Sequence, residues 1–260
     1  MPRLPSLVRE AVDAVASLIF PAPCRVCEAP LTNASRIPVC LACLQSLRPI
    51  ASPMCIQCGR PFLSPVLAGN ALCHLCRRNV YAFERARSFA VYDEAMIRTV
   101  ILLKYHAVTP LGGWFAERLA ELVRANAEAF AADIVVPVPL HPQRRRERGY
   151  NQAELIAKPL ARSLGLPMRP ALLVRTRPRP DKLKLTRRER WTSVRGAYST
   201  REDSTVDKLR VLLVDDVFTT GATLDACSRA LREAGAAAVI GLTVARVVPD
   251  WVPPAARPAV

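Results

Sequence analysis

Residues 211–223 of this 260-residue chain read VLLVDDVFTTGAT, an order that sets two carboxylates beside an anion-binding turn. Val211, Leu212, Leu213 and Val214 form a short apolar run of the kind buried in parallel sheets. Asp215 and Asp216 follow at the carboxyl end of that strand, where open α/β sheets bind their ligands. Thr219, Thr220, Gly221, Ala222 and Thr223 then turn into a helix, with Leu224, Ala230 and Leu231 on its apolar stripe. Gly221 lets the backbone approach an anion closely, and a helix N-terminus offers unpaired amides and a positive dipole end. Carboxylates cannot grip a phosphate, so the two acids should face vicinal hydroxyls or a magnesium ion. An ordinary helix cap uses one such residue; here two acids and three threonines surround one glycine.

A second chemistry lies in the cysteines. Eight of the nine form four CxxC pairs: Cys24/Cys27, Cys40/Cys43, Cys55/Cys58 and Cys73/Cys76. Repetition at this spacing, without a convincing secretion signal, favours tetrahedral zinc held by thiolates over a disulfide framework. Two knuckles close one site, and gaps of 12, 11 and 14 residues suit two zinc ribbons in series. Sequential pairing gives Cys24/Cys27/Cys40/Cys43 and Cys55/Cys58/Cys73/Cys76, and an interleaved pairing stays open. Four-thiolate sites are coordinatively closed, so their role is structural or for binding. A segment with so few bulky apolar groups needs such staples to fold. His74 stands inside the last knuckle as a bystander or a substitute ligand, and Cys227 reads as a core residue.

The charge is local. Of a formal +15, residues 141–190 hold 15 Lys/Arg against 4 Asp/Glu, concentrated in Arg144, Arg145, Arg146, Arg148 and the stretch 175–190. Such a surface attracts pyrophosphate, nucleotides or a nucleic-acid backbone, and arginine is the residue suited to bidentate phosphate contacts. A solvated basic face is the plainer alternative. Aromatic residues for base stacking are few: Tyr150 lies in the basic stretch, with Trp191 and Tyr198 just beyond it.

These residues need a scaffold. Strands are expected at 87–92, 134–137, 210–214 and 239–245, and helices at 94–104, 111–126, 223–234 and after a cap at Asn151. The segment 138–152 reads as a loop, and 175–185 as a mobile loop without periodicity. Alternating strands and helices imply an α/β class with a mostly parallel sheet and helices on both faces. Glu10 and Asp13 interrupt the apolar run before Phe20, and Leu4, Leu7, Val8, Ala11, Val15, Leu18 and Ile19 follow helical spacing. This favours an amphipathic docked helix over residues 1–22 rather than a signal peptide or a membrane-surface helix. The expected domains are 1–22, a double zinc ribbon at 23–80 and an α/β domain at 85–248. No apolar stretch reaches the roughly 20 residues of a membrane span, and the expected location is cytoplasmic.

The segment 215–223 resembles the PRPP-binding motif of type I phosphoribosyltransferases, two acids followed by TTGxT. That resemblance implies a Rossmann-like sheet, with Asp215 and Asp216 on the ribose hydroxyls and 219–223 on the 5-phosphate. The chain as a whole resembles the ComF family, which joins an N-terminal double zinc ribbon to a phosphoribosyltransferase domain. Four CxxC pairs, then Leu103-Lys104-Tyr105, then VPVPL ending at Leu140, then RGYNQ from Arg148 to Gln152, occur in the family's order. The resemblance makes Val138, Pro139 and Leu140 the pyrophosphate loop, and Arg144 and Arg148 its neutralising charges, joined by Lys104. Gly149, Tyr150, Asn151 and Gln152 would belong to the hood over the second substrate. It also implies magnesium with PRPP, and a catalytic set of Asp215, Asp216, Arg148 and Lys104.

The chain departs from the family segment QxxL…RxxN at Lys182 and Ser193, while Leu185, Arg190 and Gly196 fit. Position 219 is threonine where purine phosphoribosyltransferases place an acid, which argues against a purine-type base mechanism. His106 and His141 form no acid–base constellation. Two functions stand. One is a transferase moving phosphoribose to an acceptor with release of pyrophosphate. The other is a non-catalytic PRPP-dependent protein that handles single-stranded DNA or nucleotides in competence and DNA uptake, with competence-machinery proteins as partners.

Overall fold

In a computed structural model the described residues are 23–31, 35–62, 71–177, 186–201 and 205–248. The expected helix at 1–22, and Lys182 and Leu185, lie outside them.

Four parallel strands form the central sheet in the order β1, β6, β5, β2. They are β1 (Arg85–Val91), β2 (Ile134–Pro137), β5 (Arg210–Phe218) and β6 (Ala238–Arg246). Successive side chains of β5 point to opposite faces. Leu212 and Val214 join a core with α3 (Glu94–Tyr105), α4 (Pro110–Arg124) and α6 (Gln152–Leu164). Val211 and Leu213 join a second core with α8 (Ala222–Glu233) on the other face. Burial on both faces explains why these strands read as continuous apolar runs. Helices α4 and α6 approach closely at Gly112, where a Cβ would sit 2.6 Å from the Leu155 carbonyl oxygen.

The structure departs from the expected elements in four places. Strand β5 continues through Asp215 and Asp216 to Phe218, because β6 keeps pairing there as far as Phe218 with Arg246. The basic segment expected as a loop contains a short helix, α5 (Pro142–Arg148), with Pro142 at its start and Gly149 at φ 82° ending it. Strands β3 (Leu173–Arg175) and β4 (Tyr198–Thr200) form a separate antiparallel pair. Helix α7 (Arg187–Val194) precedes β4 and begins with a capping box between Thr186 and Glu189.

The cysteine-rich segment, with short helices α1 (Leu41–Gln45) and α2 (His74–Arg77), covers the free edge of β1. Ile50 N–H donates to the Phe89 carbonyl (2.9 Å), Val91 N–H to Arg48 (2.9 Å) and Ala86 N–H to Gln57 (2.7 Å). An edge strand that would otherwise present unpaired backbone groups is thereby satisfied. Among the described residues, no helix is long and apolar enough to cross a membrane.

Candidate functional site

The site begins where β2 stops. Strand β2 pairs with β5 only up to Pro137 opposite Val214. Val138 N–H makes one more bond to the Val214 carbonyl at 2.8 Å, and the chain then turns away through Pro139 and Leu140. Asp215 and Asp216 therefore stand on a part of β5 flanked by β6 alone, at the carboxyl end of the sheet. Both are buried, Asp216 to 5% exposure, at the floor of a cleft of about 400 Å³.

Every residue expected to touch the ligand lines this cleft except Gly221: Lys104, Val138, Pro139, Leu140, Arg144, Arg148, Asp215, Asp216, Thr219, Thr220, Ala222 and Thr223. Gly221 instead carries the turn, at φ 82°, with its Cα side packed on the rings of Phe218 and Tyr81. A Cβ there would lie 2.6 Å from each ring, so both the positive φ and the close approach demand glycine. Gly221 itself occupies the N-cap of α8, so no side chain caps the helix, and Thr220 Oγ1 accepts from Ala222 N–H at 3.4 Å within the turn.

Among the described residues, two carboxylates face five cations in the cleft: Lys104, Arg144, Arg148, Arg175 and Arg190. Lys104 donates to Asp216 Oδ1 at 2.9 Å. Burial pushes its ammonium down, but Asp216, with Asp215 and Tyr92 beside it, more than offsets that and holds it above its usual value. Among the described residues, Asp216 Oδ2 is buried without a hydrogen-bond partner. An orphaned carboxylate oxygen at the floor of a cleft fits a cation or a ligand hydroxyl. Arg148 bonds Gln152 and lies 4.9 Å over the ring of Tyr105, which is 66% exposed at the rim.

Asn151 and Tyr150 turn inward. Asn151 caps α6 by accepting from Ala153 N–H at 3.1 Å, and its Nδ2 donates to the Val138 carbonyl at 3.0 Å. Tyr150 hydroxyl donates to the Leu103 carbonyl at 2.6 Å, tying the start of α6 to the turn of α3 that presents Lys104. Arg175 and Tyr198, from the β3–β4 pair, also line the cleft. Arg175 donates to the Tyr198 hydroxyl at 3.0 Å, and its buried Nη2 has no partner among the described residues. The basic composition of 175–190 signalled this contribution, but nothing in the sequence placed Tyr198, Tyr92 or Tyr105 around the opening.

The cysteines gather as two groups, Cys24/Cys27/Cys40/Cys43 and Cys55/Cys58/Cys73/Cys76, each with its sulfurs within 4.8 Å of one another. Sequential pairing is thus the arrangement adopted. Backbone N–H groups point at sulfur, Cys40 to Cys24 at 3.2 Å and Cys73 to Cys55 at 3.3 Å, as thiolates of a zinc knuckle require. Two closed four-thiolate sets suit two structural zinc ions. His74 is exposed and stands outside the second group.

A family model described as a double zinc ribbon domain matches residues 15–77, and one described as a phosphoribosyl transferase domain matches 151–256. The DNA utilization protein YhgH of Salmonella typhimurium is 30% identical over 225 residues, covering 85% of this chain and 96% of that protein. Competence protein ComFC of Bacillus subtilis is 29% identical over 218 residues, covering 78% and 81%. Among solved structures, glutamine PRPP amidotransferase from B. subtilis aligns at a TM-score of 0.36 and 25% identity, over 52% of this chain and 26% of that one. The parallel sheet with its acidic strand end and hydroxyl-rich turn is a type I phosphoribosyltransferase fold, preceded by two four-cysteine ribbons. With both parts present in one chain, and a relative matched over nearly its whole length, the chain belongs to the ComF family.

Proposed function

We propose that the cleft binds PRPP and that the chain transfers its phosphoribosyl group to an acceptor, releasing pyrophosphate. One observation carries this reading: among the described residues, Asp216 Oδ2 lies without a partner on the floor of a cleft that the 219–223 turn and five cations line. Asp215 and Asp216 take the ribose hydroxyls, and the threonine-rich turn takes the 5-phosphate at the N-terminus of α8. The 138–140 turn, Arg144, Arg148 and Lys104 take the pyrophosphate. In the transfer the bond from the anomeric carbon to the pyrophosphate oxygen breaks, its electron pair leaving with pyrophosphate, while an acceptor lone pair forms the new bond. Arginines preorganised around the leaving group stabilise the charge that grows on it. Asp215 and Asp216 would hold magnesium, which would supply Lewis-acid charge to the transfer.

Lys104 has a defined part in the cleft. It neutralises Asp216, and ribose hydroxyls bound to that carboxylate would free it to turn toward the pyrophosphate. Calorimetric titration of PRPP with magnesium tests the reading: the wild type binds and Asp216→Asn loses most of the affinity. A screen for pyrophosphate release with nucleobases and nucleic-acid-derived acceptors then tests transfer.

A second reading is a PRPP-dependent, non-catalytic protein that handles single-stranded DNA in competence, in the cytoplasm, beside other competence proteins. The names of the relatives and the exposed Tyr105 stacked beneath Arg148 at the mouth of the cleft support it, since bases stack on such platforms. Salt-sensitive binding of single strands, with no pyrophosphate release for any acceptor, favours this reading over transfer.

A further inference from the structure

The second four-cysteine group and the 219–223 turn share their packing. Tyr81, five residues beyond Cys76, donates its hydroxyl to the Thr220 carbonyl at 3.0 Å. Its ring stacks on Phe83 at 4.7 Å, meets Phe218 edge-on at 6.1 Å and lies directly under Gly221. The residues on either side of Tyr81 grip the first turns of α8. Ala82 N–H donates to Asp225 Oδ1 at 2.7 Å, and Arg229 donates to the Val80 carbonyl at 3.1 Å.

Phe218, which leads into the turn, is held from the other side. The buried Arg246 guanidinium lies 3.9 Å from its ring centroid and donates to the Cys58 carbonyl at 2.7 Å. The same guanidinium is 3.5 Å from Cys58 Sγ. The first four-cysteine group has no such connection among the described residues. It packs in the opposite core with α3 and α4, and Arg98 ties it there through the Val26 carbonyl at 2.6 Å.

We propose that Tyr81 is a positioning residue through which the second zinc ribbon, and not the first, sets the geometry of the phosphate-binding turn. The binding arm of its test rests on the PRPP reading above; the exchange arm does not. Tyr81→Phe removes one hydroxyl and leaves the ring, the eight thiolates and every cleft residue in place. The expected result is amide exchange that speeds up at 219–223, with the zinc content unchanged. PRPP affinity should fall about three- to tenfold, as for the loss of one hydrogen bond. Arg98→Ala, which cuts the tie between α3 and the first ribbon, should alter neither quantity.

Stepwise chelation supplies an independent readout. Exchange at 219–223 should stay constant while the first zinc leaves and rise when the second does. Unchanged exchange in Tyr81→Phe, or loosening of the turn in Arg98→Ala or on loss of the first zinc, overturns the proposal. If the wild type fails to bind PRPP, the functional reading falls, and the exchange data alone decide this one.

Discussion

Lys104, at the last turn of α3, donates to Asp216 on β5 across 2.9 Å, with its own side chain 21% exposed and that of Asp216 7% exposed. The contact joins the helix that follows β1 to the floor of the cleft. Removing one partner of a buried pair strands the other charge, at roughly 3–5 kcal/mol when both are fully buried. Lys104 is partly solvated, so Lys104→Met should lower stability by roughly 2–3 kcal/mol. Adding Asp216→Asn to that variant removes the stranded carboxylate. Urea unfolding of both single variants and the double should give a coupling energy of roughly 1–3 kcal/mol. Strict additivity would mean the pair does not couple in solution.

The two four-cysteine groups differ in access, and that difference predicts an order of metal release. All four sulfur-bearing residues of the second group are buried, whereas in the first Cys27 is exposed and Cys40 half-exposed. Elemental analysis should find two zinc ions per chain. A chelator with a chromogenic readout should remove them in two phases, the faster from the first group. Cys27→Ser should abolish the fast phase and leave the slow one. Cobalt substitution should give the charge-transfer and visible bands of tetrahedral thiolate coordination for both ions.

The acids, the turn and the cysteine knuckles were legible because each is a local pattern with a physical reason. The strands were legible for the same reason, as apolar runs that only a doubly covered parallel sheet can bury. Helix α5 carried a signal that composition obscured: Pro142 at its first position and Gly149 at its end are the usual asymmetry of helix termini. Helix α7 likewise opens on Thr-Arg-Arg-Glu, a readable capping box. The β3–β4 pair was not readable. Three-residue strands show no usable alternation, and Arg175 meets Tyr198 across 23 residues of chain. Nor could any local pattern seat Tyr81 beneath the turn, where its hydroxyl meets the Thr220 carbonyl across 139 residues of chain.

Cys227, on α8, is fully buried, and burial pushes its thiol well above the usual cysteine range. A thiol of raised pKa is neutral in the folded protein and contributes stability below the unfolded value of about 8.5. That contribution is lost as pH rises above it, because the unfolded thiol ionises first. Iodoacetamide should therefore leave Cys227 unmodified in the zinc-loaded native protein at pH 7–8, and label it once urea unfolds the chain. Peptide mass mapping reads both states. Labelling of Cys227 in the native protein would show that α8 opens locally.

Gly221 combines a left-handed backbone with contact on both aromatic rings beneath it. Its φ is 82°, and an added Cβ would lie 2.6 Å from the Phe218 and Tyr81 rings. The positive φ alone penalises alanine by about 1 kcal/mol. Ring atoms held by Phe83 and Arg246 cannot yield freely, and overpacking of this kind adds roughly 1–3 kcal/mol. Gly221→Ala should thus destabilise the protein by roughly 2–4 kcal/mol, measured by urea unfolding. The relief most open to the chain is outward movement of the turn, which displaces Thr219 to Thr223 relative to Asp215 and Asp216. PRPP affinity should then fall by more than tenfold even at temperatures where the variant is fully folded. Retention of full affinity in a destabilised but folded Gly221→Ala would mean that the rings move and the turn does not.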